Sequence, residues 1–156
     1  MPGVDDLYQQ LILDHYRNPR GEGRLAAPSA TVEEHNPMCG DEVTLDVLVE
    51  DGRVTALAHV GEGCSISRAS ASMLADALPG HGTDEALALI ERFRLVMHGD
   101  ADVPDELGDA VALEGVAKFP ARVKCALMSW LAARSAIQAA LLDNPTGSEV
   151  ADGQRG

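Results

Sequence analysis

Val43, Leu45, Val47 and Val49 alternate with Glu42, Thr44, Asp46 and Glu50. A period of two marks a strand with one buried face and one wet face. Asp51-Gly52 follows at once, and Val54, Ala56, Ala58 and Val60 then share one side of a return run, Arg53 to Val60. Asp-Gly between two alternating runs is a strong hairpin signal, because both turn residues must tolerate positive φ. Ala30 to His35 reads as a third, weaker strand. An antiparallel sheet of about three strands is expected, and something apolar must cover one of its faces.

The rest of the chain supplies that cover. Leu7, Tyr8, Leu11 and Ile12 recur at helical spacing within Asp5 to Arg17, and Asn18-Pro19 ends the pattern. Arg20 to Pro28 is a basic, glycine-containing loop. Ser65 to Leu78 reads as a helix ending at Pro79-Gly80, and Thr83 is placed to cap another that ends near His98-Gly99. Pro104 opens a further short helix, and Pro120 opens a long one reaching about Leu142, with Val123, Leu127, Trp130, Leu131, Arg134, Ile137 and Leu141 along one side. The predicted class is α+β with helices packed on one sheet face: one domain over 1–143 and a loose polar tail over 144–156. Aromatic residues are only 3% of the chain, so the expected core is aliphatic, built from Ala, Leu and Val.

With 25 acidic against 12 basic residues the net charge is −13, which repels a phosphate backbone and argues against a nucleic-acid partner. The same charge suits solubility and would steer a basic patch on another protein. No run of 18 apolar residues suggests a membrane span, and the N-terminus lacks the pattern of a secretory signal, so a cytoplasmic location is expected. Three widely spaced cysteines form no disulfide framework.

Those cysteines carry the chemistry. Cys39 lies in Asn36-Pro37-Met38-Cys39-Gly40-Asp41, among turn residues, with a carboxylate two positions on. Cys64 follows Gly61-Glu62-Gly63 at the junction of strand and helix, where a helix N-terminus favours thiolate. Cys125 lies near the start of the last helix, just after Arg122 and Lys124, which would favour a thiolate if they point towards it. Cys39, Asp41, Cys64 and Cys125 together offer four donors for a tetrahedral zinc ion. The residues alone leave two readings open, a shared ion and three unrelated cysteines. His15, His35, His59, His81 and His98 read as structural; His35 is the best placed of them as a ligand, and His59 should face away from the apolar side of its strand.

Leu7-Tyr8-Gln9-Gln10-Leu11-Ile12-Leu13-Asp14-His15-Tyr16-Arg17-Asn18-Pro19-Arg20, then Asn36 to Asp41, then Gly61 to Met73, then Lys118 to Trp130 resemble, in order, the motifs of the IscU/SufU/NifU N-terminal family. The resemblance leans towards the SufU branch. Scaffolds of the IscU type carry His directly before the third cysteine, where this chain has Lys124, and a Pro-Pro docking motif where it has Phe119-Pro120-Ala121-Arg122. The resemblance implies zinc held by Cys39, Asp41, Cys64 and Cys125, with Cys39 also accepting persulfide sulfur from a PLP-dependent cysteine desulfurase of the SufS type. In that family a desulfurase His replaces Cys39 on the metal. Arg122 matches an arginine near the site, to pair with Asp41 or assist release of Cys39, and a downstream cluster scaffold would receive the sulfur. The alternative is a scaffold that binds a labile [2Fe–2S] cluster through the same cysteines.

Overall fold

The chain runs helix, three strands, two helices, a 3-10 segment and a last long helix. The structure is a computed structural model that describes residues 4–37 and 40–143, with side chains over 7–37 and 40–142. The elements are α1 (Val4–Arg17), β1 (Ala30–Asn36), β2 (Asp41–Glu50), β3 (Arg53–Glu62), α2 (Ser65–Ala77), α3 (Thr83–Met97), the 3-10 segment Asp105–Lys118, and α4 (Pro120–Asp143). The strands form one antiparallel sheet in the order β1-β2-β3. The expected tail lies outside the described residues.

The hairpin turns at Asp51 (φ +53°) and Gly52 (φ +75°), as its Asp-Gly pair requires. On β2 the expected face holds: Val43, Leu45, Val47 and Val49 are all buried. On β3 the expectation fails beyond Val54. Val49 pairs with Val54, but Leu48 pairs with Ala56 and Val47 with Leu57, so Thr55 is an extra residue in a β-bulge. Cross-strand partners share a face, so the bulge moves Leu57 and His59 to the side of Leu45 and Val47. Ala56, Ala58 and Val60 turn to the opposite side, and His59 is buried rather than exposed.

The loop from Arg20 to Pro28 explains the other face. Gly21 and Gly23 bond to the edge of β3, where His59 N–H donates to Gly21 O and Gly23 N–H to His59 O, both at 2.9 Å. The chain then crosses to β1 over the face away from the helices. Arg24 Nε and the Leu25 N–H donate to Asp46 Oδ2 at 2.8 and 2.9 Å, and Thr31 Oγ1 donates to Oδ1 at 2.6 Å. Asp46, on the expected wet face, is therefore fully buried and saturated with donors.

Helices α2 and α4 pack against each other and the sheet, α4 over β1 and β2 and α2 over β3, while α3 and the 3-10 segment pack on α4. Helix α4 is long and apolar enough to cross a membrane. Instead it lies in the core, with Ala126, Trp130, Ala133 and Ile137 wholly buried. The core is not purely aliphatic: Phe93 of α3 stacks on Trp130 with centroids 4.0 Å apart and planes 13° from parallel. Helix α3 is capped by Gly82 rather than Thr83, whose N–H bonds instead to Gly52 O at 2.9 Å and ties the helix start to the hairpin turn.

Acid should loosen the crossing loop in two stages. Burial holds the His59 imidazole below its ordinary pKa, against the hydrogen bond from Nε2 to Arg20 O. The unfolded chain therefore binds the extra proton first, so the His59 contribution is complete above about pH 6.5 and falls as pH drops below it. For Asp46, burial raises the carboxyl pKa, but the bonds from Arg24, Thr31 and Leu25 outweigh it and the net shift is downward. Its contribution is complete above about pH 3.9 and is lost below that. Chemical denaturation between pH 7 and 5 should show a falling stability with a shallower slope in His59→Gln; equal slopes would contradict this account.

Candidate metal centre

Three elements that are remote in sequence deliver donors to one spot. The turn between β1 and β2 is closed by Gly40 (φ +72°), whose N–H donates to Asn36 O at 2.8 Å. That turn starts β2 at Asp41, which is only 2% exposed. Asp41 Oδ1 accepts the backbone N–H of Cys64 at 3.1 Å, and Oδ2 lies 4.0 Å from Cys64 Sγ.

Cys64 is the N-cap of α2, with extended backbone (φ −73°, ψ 172°). Its sulfur accepts the Ser67 N–H at 3.5 Å, so it meets one of the donors that a helix start leaves without a partner. The Ser67 hydroxyl donates to Cys64 O at 3.0 Å and lies 3.8 Å from the sulfur. Gly63 permits this closeness. A Cβ there would sit 2.4 Å from Ser67 Oγ and 2.6 Å from Asp41 Oδ1, so any side chain would push the carboxylate and the cap apart.

Cys125, in the second turn of α4, is fully buried. One carboxylate oxygen of Asp41 and the sulfurs of Cys64 and Cys125 all lie within 4.8 Å of one another. A tetrahedral ion with bonds of about 2.3 Å to sulfur spaces its donors about 3.8 Å apart, so small side-chain rotations would bring the three into a shared coordination sphere. Two sulfurs with one carboxylate suit zinc or iron and disfavour Mg²⁺ and Ca²⁺.

Arg122 sits one turn before Cys125 on the exposed surface of α4. Its guanidinium pKa is raised, first by a hydrogen bond with Cys125 and then by the charge of Cys64. Arg122 thus engages the cysteines of the group. Lys124 lines a groove with Glu34, His35, Asn36 and Leu127, so of the two flanking cations it is Arg122 that engages Cys125. His35 does not join the group; its Nδ1 faces Glu42 at 3.5 Å. Cys39 lies outside the described residues. Ser67 was legible only as the third residue after an N-cap, the spacing of a capping interaction.

A sheet of this topology, carrying a Cys/Asp/Cys group between a β-turn, a helix start and a second helix, defines a class, and the comparisons agree with it. The model of the NifU-like N-terminal domain matches residues 7–126, and the chain belongs to that family. It is 46% identical over 130 residues to the zinc-dependent sulfurtransferase SufU of Bacillus subtilis, covering 83% of this chain and 88% of that one. It is 40% identical over 136 residues to the iron–sulfur cluster assembly scaffold protein IscU of Streptococcus pyogenes, covering 86% and 85%. A crystal structure of a NifU-like protein from Brucella abortus superposes with a TM-score of 0.80 at 29% identity, covering 88% of this chain and 96% of that one.

Proposed function

We propose that this protein accepts sulfur from a PLP-dependent cysteine desulfurase at a zinc centre and delivers it to iron–sulfur cluster assembly in the cytoplasm. The observation that carries this reading is the convergence of Asp41, Cys64 and Cys125 within 4.8 Å beside an arginine. Similarity to the Bacillus zinc-dependent sulfurtransferase supports it.

Asp41, Cys64, Cys125 and, by sequence, Cys39 would hold the ion. Bound zinc would keep the thiolates deprotonated and in fixed geometry without redox change. The protein's own residues do the rest. The Cys64 N–H orients Asp41, and Ser67 orients Cys64. Arg122 supplies positive charge where thiolates gather. Cys39, between turn residues, is the nucleophile. Its thiolate attacks the outer sulfur of the desulfurase persulfide; a sulfur–sulfur bond forms at Cys39, and the desulfurase cysteine leaves as thiolate. One bond is made and one broken, so no oxidant is consumed. The net charge of −13 would steer a basic face of the desulfurase to this surface.

Stimulation of a cognate desulfurase should vanish in Cys39→Ala while the variant stays folded; retained stimulation would remove the proposal. Identity to the Streptococcus IscU scaffold favours a second reading, a labile [2Fe–2S] cluster on the same donors. Anaerobic reconstitution that yields a transferable chromophore would support it, and no chromophore at stoichiometric iron and sulfide would exclude it.

A further inference from the structure

A second group of metal-ligating side chains lies well away from the cysteines. His15 of α1, Asp76 of α2 and Asp109 of the 3-10 segment place one donor atom each within 4.8 Å of one another. His15 is wholly buried, while Asp76 is exposed and Asp109 half-buried. The two groups occupy opposite ends of α2: Asp76 is twelve residues beyond Cys64, a rise of about 18 Å along a helix axis.

The imidazole is already oriented for coordination. Its Nδ1 lies 2.7 Å from Ser72 Oγ, and its Nε2 lies 2.9 Å from Asp109 Oδ2. Ser72 Oγ also accepts the Arg20 N–H at 2.8 Å, which fixes the hydroxyl in place. That hydroxyl can meet Nδ1 as donor or as acceptor. As donor it leaves Nε2–H to bond to Asp109. As acceptor it leaves the Nε2 lone pair facing a carboxylate, an arrangement a cation between them would stabilise. An ion can thus take the place of the proton without rotation of the ring. Holding the far nitrogen of a ligating histidine is the usual role of such an outer hydrogen bond.

The carboxylates come from elements shaped to present them. Asp76 is four residues after Ser72 on α2 and so lies on the same helix face. Asp109 follows Gly108, where φ +53° and ψ −123° kink the 3-10 segment. Zinc–nitrogen and zinc–oxygen bonds of about 2.0–2.2 Å separate tetrahedral donors by about 3.4 Å, so Nε2 and Oδ2 would part by roughly half an ångström. One neutral imidazole and two carboxylates balance a divalent charge, and the exposed side leaves room for water as a further ligand.

We propose that His15, Asp76 and Asp109 form a second divalent-cation site, for first-row ions of the zinc type, which ties α1 to α2 and the 3-10 segment. The imidazole nitrogen selects against Mg²⁺ and Ca²⁺, which prefer all-oxygen shells. The site does not depend on the thiolate centre or on sulfur transfer.

Titration of the metal-free full-length chain with Co²⁺ tests this. Sulfur-bound cobalt gives an intense near-ultraviolet charge-transfer band, and a nitrogen–oxygen site gives only weak visible bands. The expected result is a second, weaker equivalent without the charge-transfer band, which persists in Cys64→Ser and in a tenfold excess of Mg²⁺ over cobalt. Asp76→Asn, on an exposed position that leaves the His15–Asp109 contact intact, should weaken that equivalent at least tenfold, and Asp109→Asn likewise. Asp51→Asn, on the hairpin turn, should leave it unchanged. Absence of a second equivalent in the wild type, its displacement by Mg²⁺, or wild-type affinity retained in Asp76→Asn and Asp109→Asn would overturn the proposal. Loss of the charge-transfer band alone would count against the thiolate centre only.

Discussion

Cys64→Ser should separate metal binding from folding, with zinc affinity falling more than about a hundredfold while the metal-free protein keeps its stability. Side chains that merely orient a ligand cost up to about 100-fold when removed, so loss of a ligand should cost more. Most ligand substitutions confuse this effect with damage to the fold. Here they part, because Cys64 has a second role as the N-cap of α2, with its sulfur accepting the Ser67 N–H at a long 3.5 Å. Serine is among the best N-cap residues and makes the same bond at shorter range, so the helix start should be as firm or firmer. Chelator competition for zinc and thermal melting of the metal-free variant measure the two quantities. Unchanged zinc affinity would remove Cys64 from the centre. A large drop in metal-free stability would show that the sulfur has a packing role that the cap geometry does not reveal.

Trp130→Ala should be among the most damaging single changes to stability, at about 3–5 kcal/mol. Trp130 is completely buried and stacked on Phe93, in a chain with one tryptophan and two phenylalanines. Its Nε1–H donates to Ser70 Oγ at 2.8 Å, and Ser70 in turn donates to Ala126 O at 2.6 Å, which joins α2 to α4. Alanine would leave a large cavity among α2, α3 and α4. Trp130→Phe keeps part of the stack but loses the second ring as well as the indole donor; because Ser70 retains its bond to Ala126 O, the variant should cost less than alanine, about 1–3 kcal/mol. Total stability of ordinary domains is about 5–15 kcal/mol, so the alanine variant sits near the limit of folding. Urea denaturation of both variants is the measurement, and a cost below about 2 kcal/mol for alanine would mean that the helices close over the gap. Damage here should spread to the metal centre, since Cys125 lies on the same helix one turn and a half before Trp130.

Much of this protein was readable along the chain. The alternation of β2, the Asp51-Gly52 turn and the helical spacing of α1, α2 and α4 are local signals, set by which side of a strand or helix each residue occupies. The cysteine motifs were equally plain. The bulge at Thr55 was not readable. It needs only one unpaired residue, leaves no mark on the apolar pattern, and reverses the faces of β3 so that Leu57 and His59 turn inward.

Nor did the pattern foretell that Asp46, on the polar side of β2, would be buried beneath residues 24–29, or that His15 would be sealed between α1 and α2. Those outcomes depend on what the rest of the chain lays over a residue. The same holds at the candidate centre. The sequence alone supplied the donor types and their local settings: a turn, a strand-to-helix junction and a helix start. Tertiary structure alone brought Asp41 within reach of Cys64 and Cys125, across separations of 23 and 84 residues. Periodicity records which way a side chain points from its own element, and only packing between elements decides what it meets there.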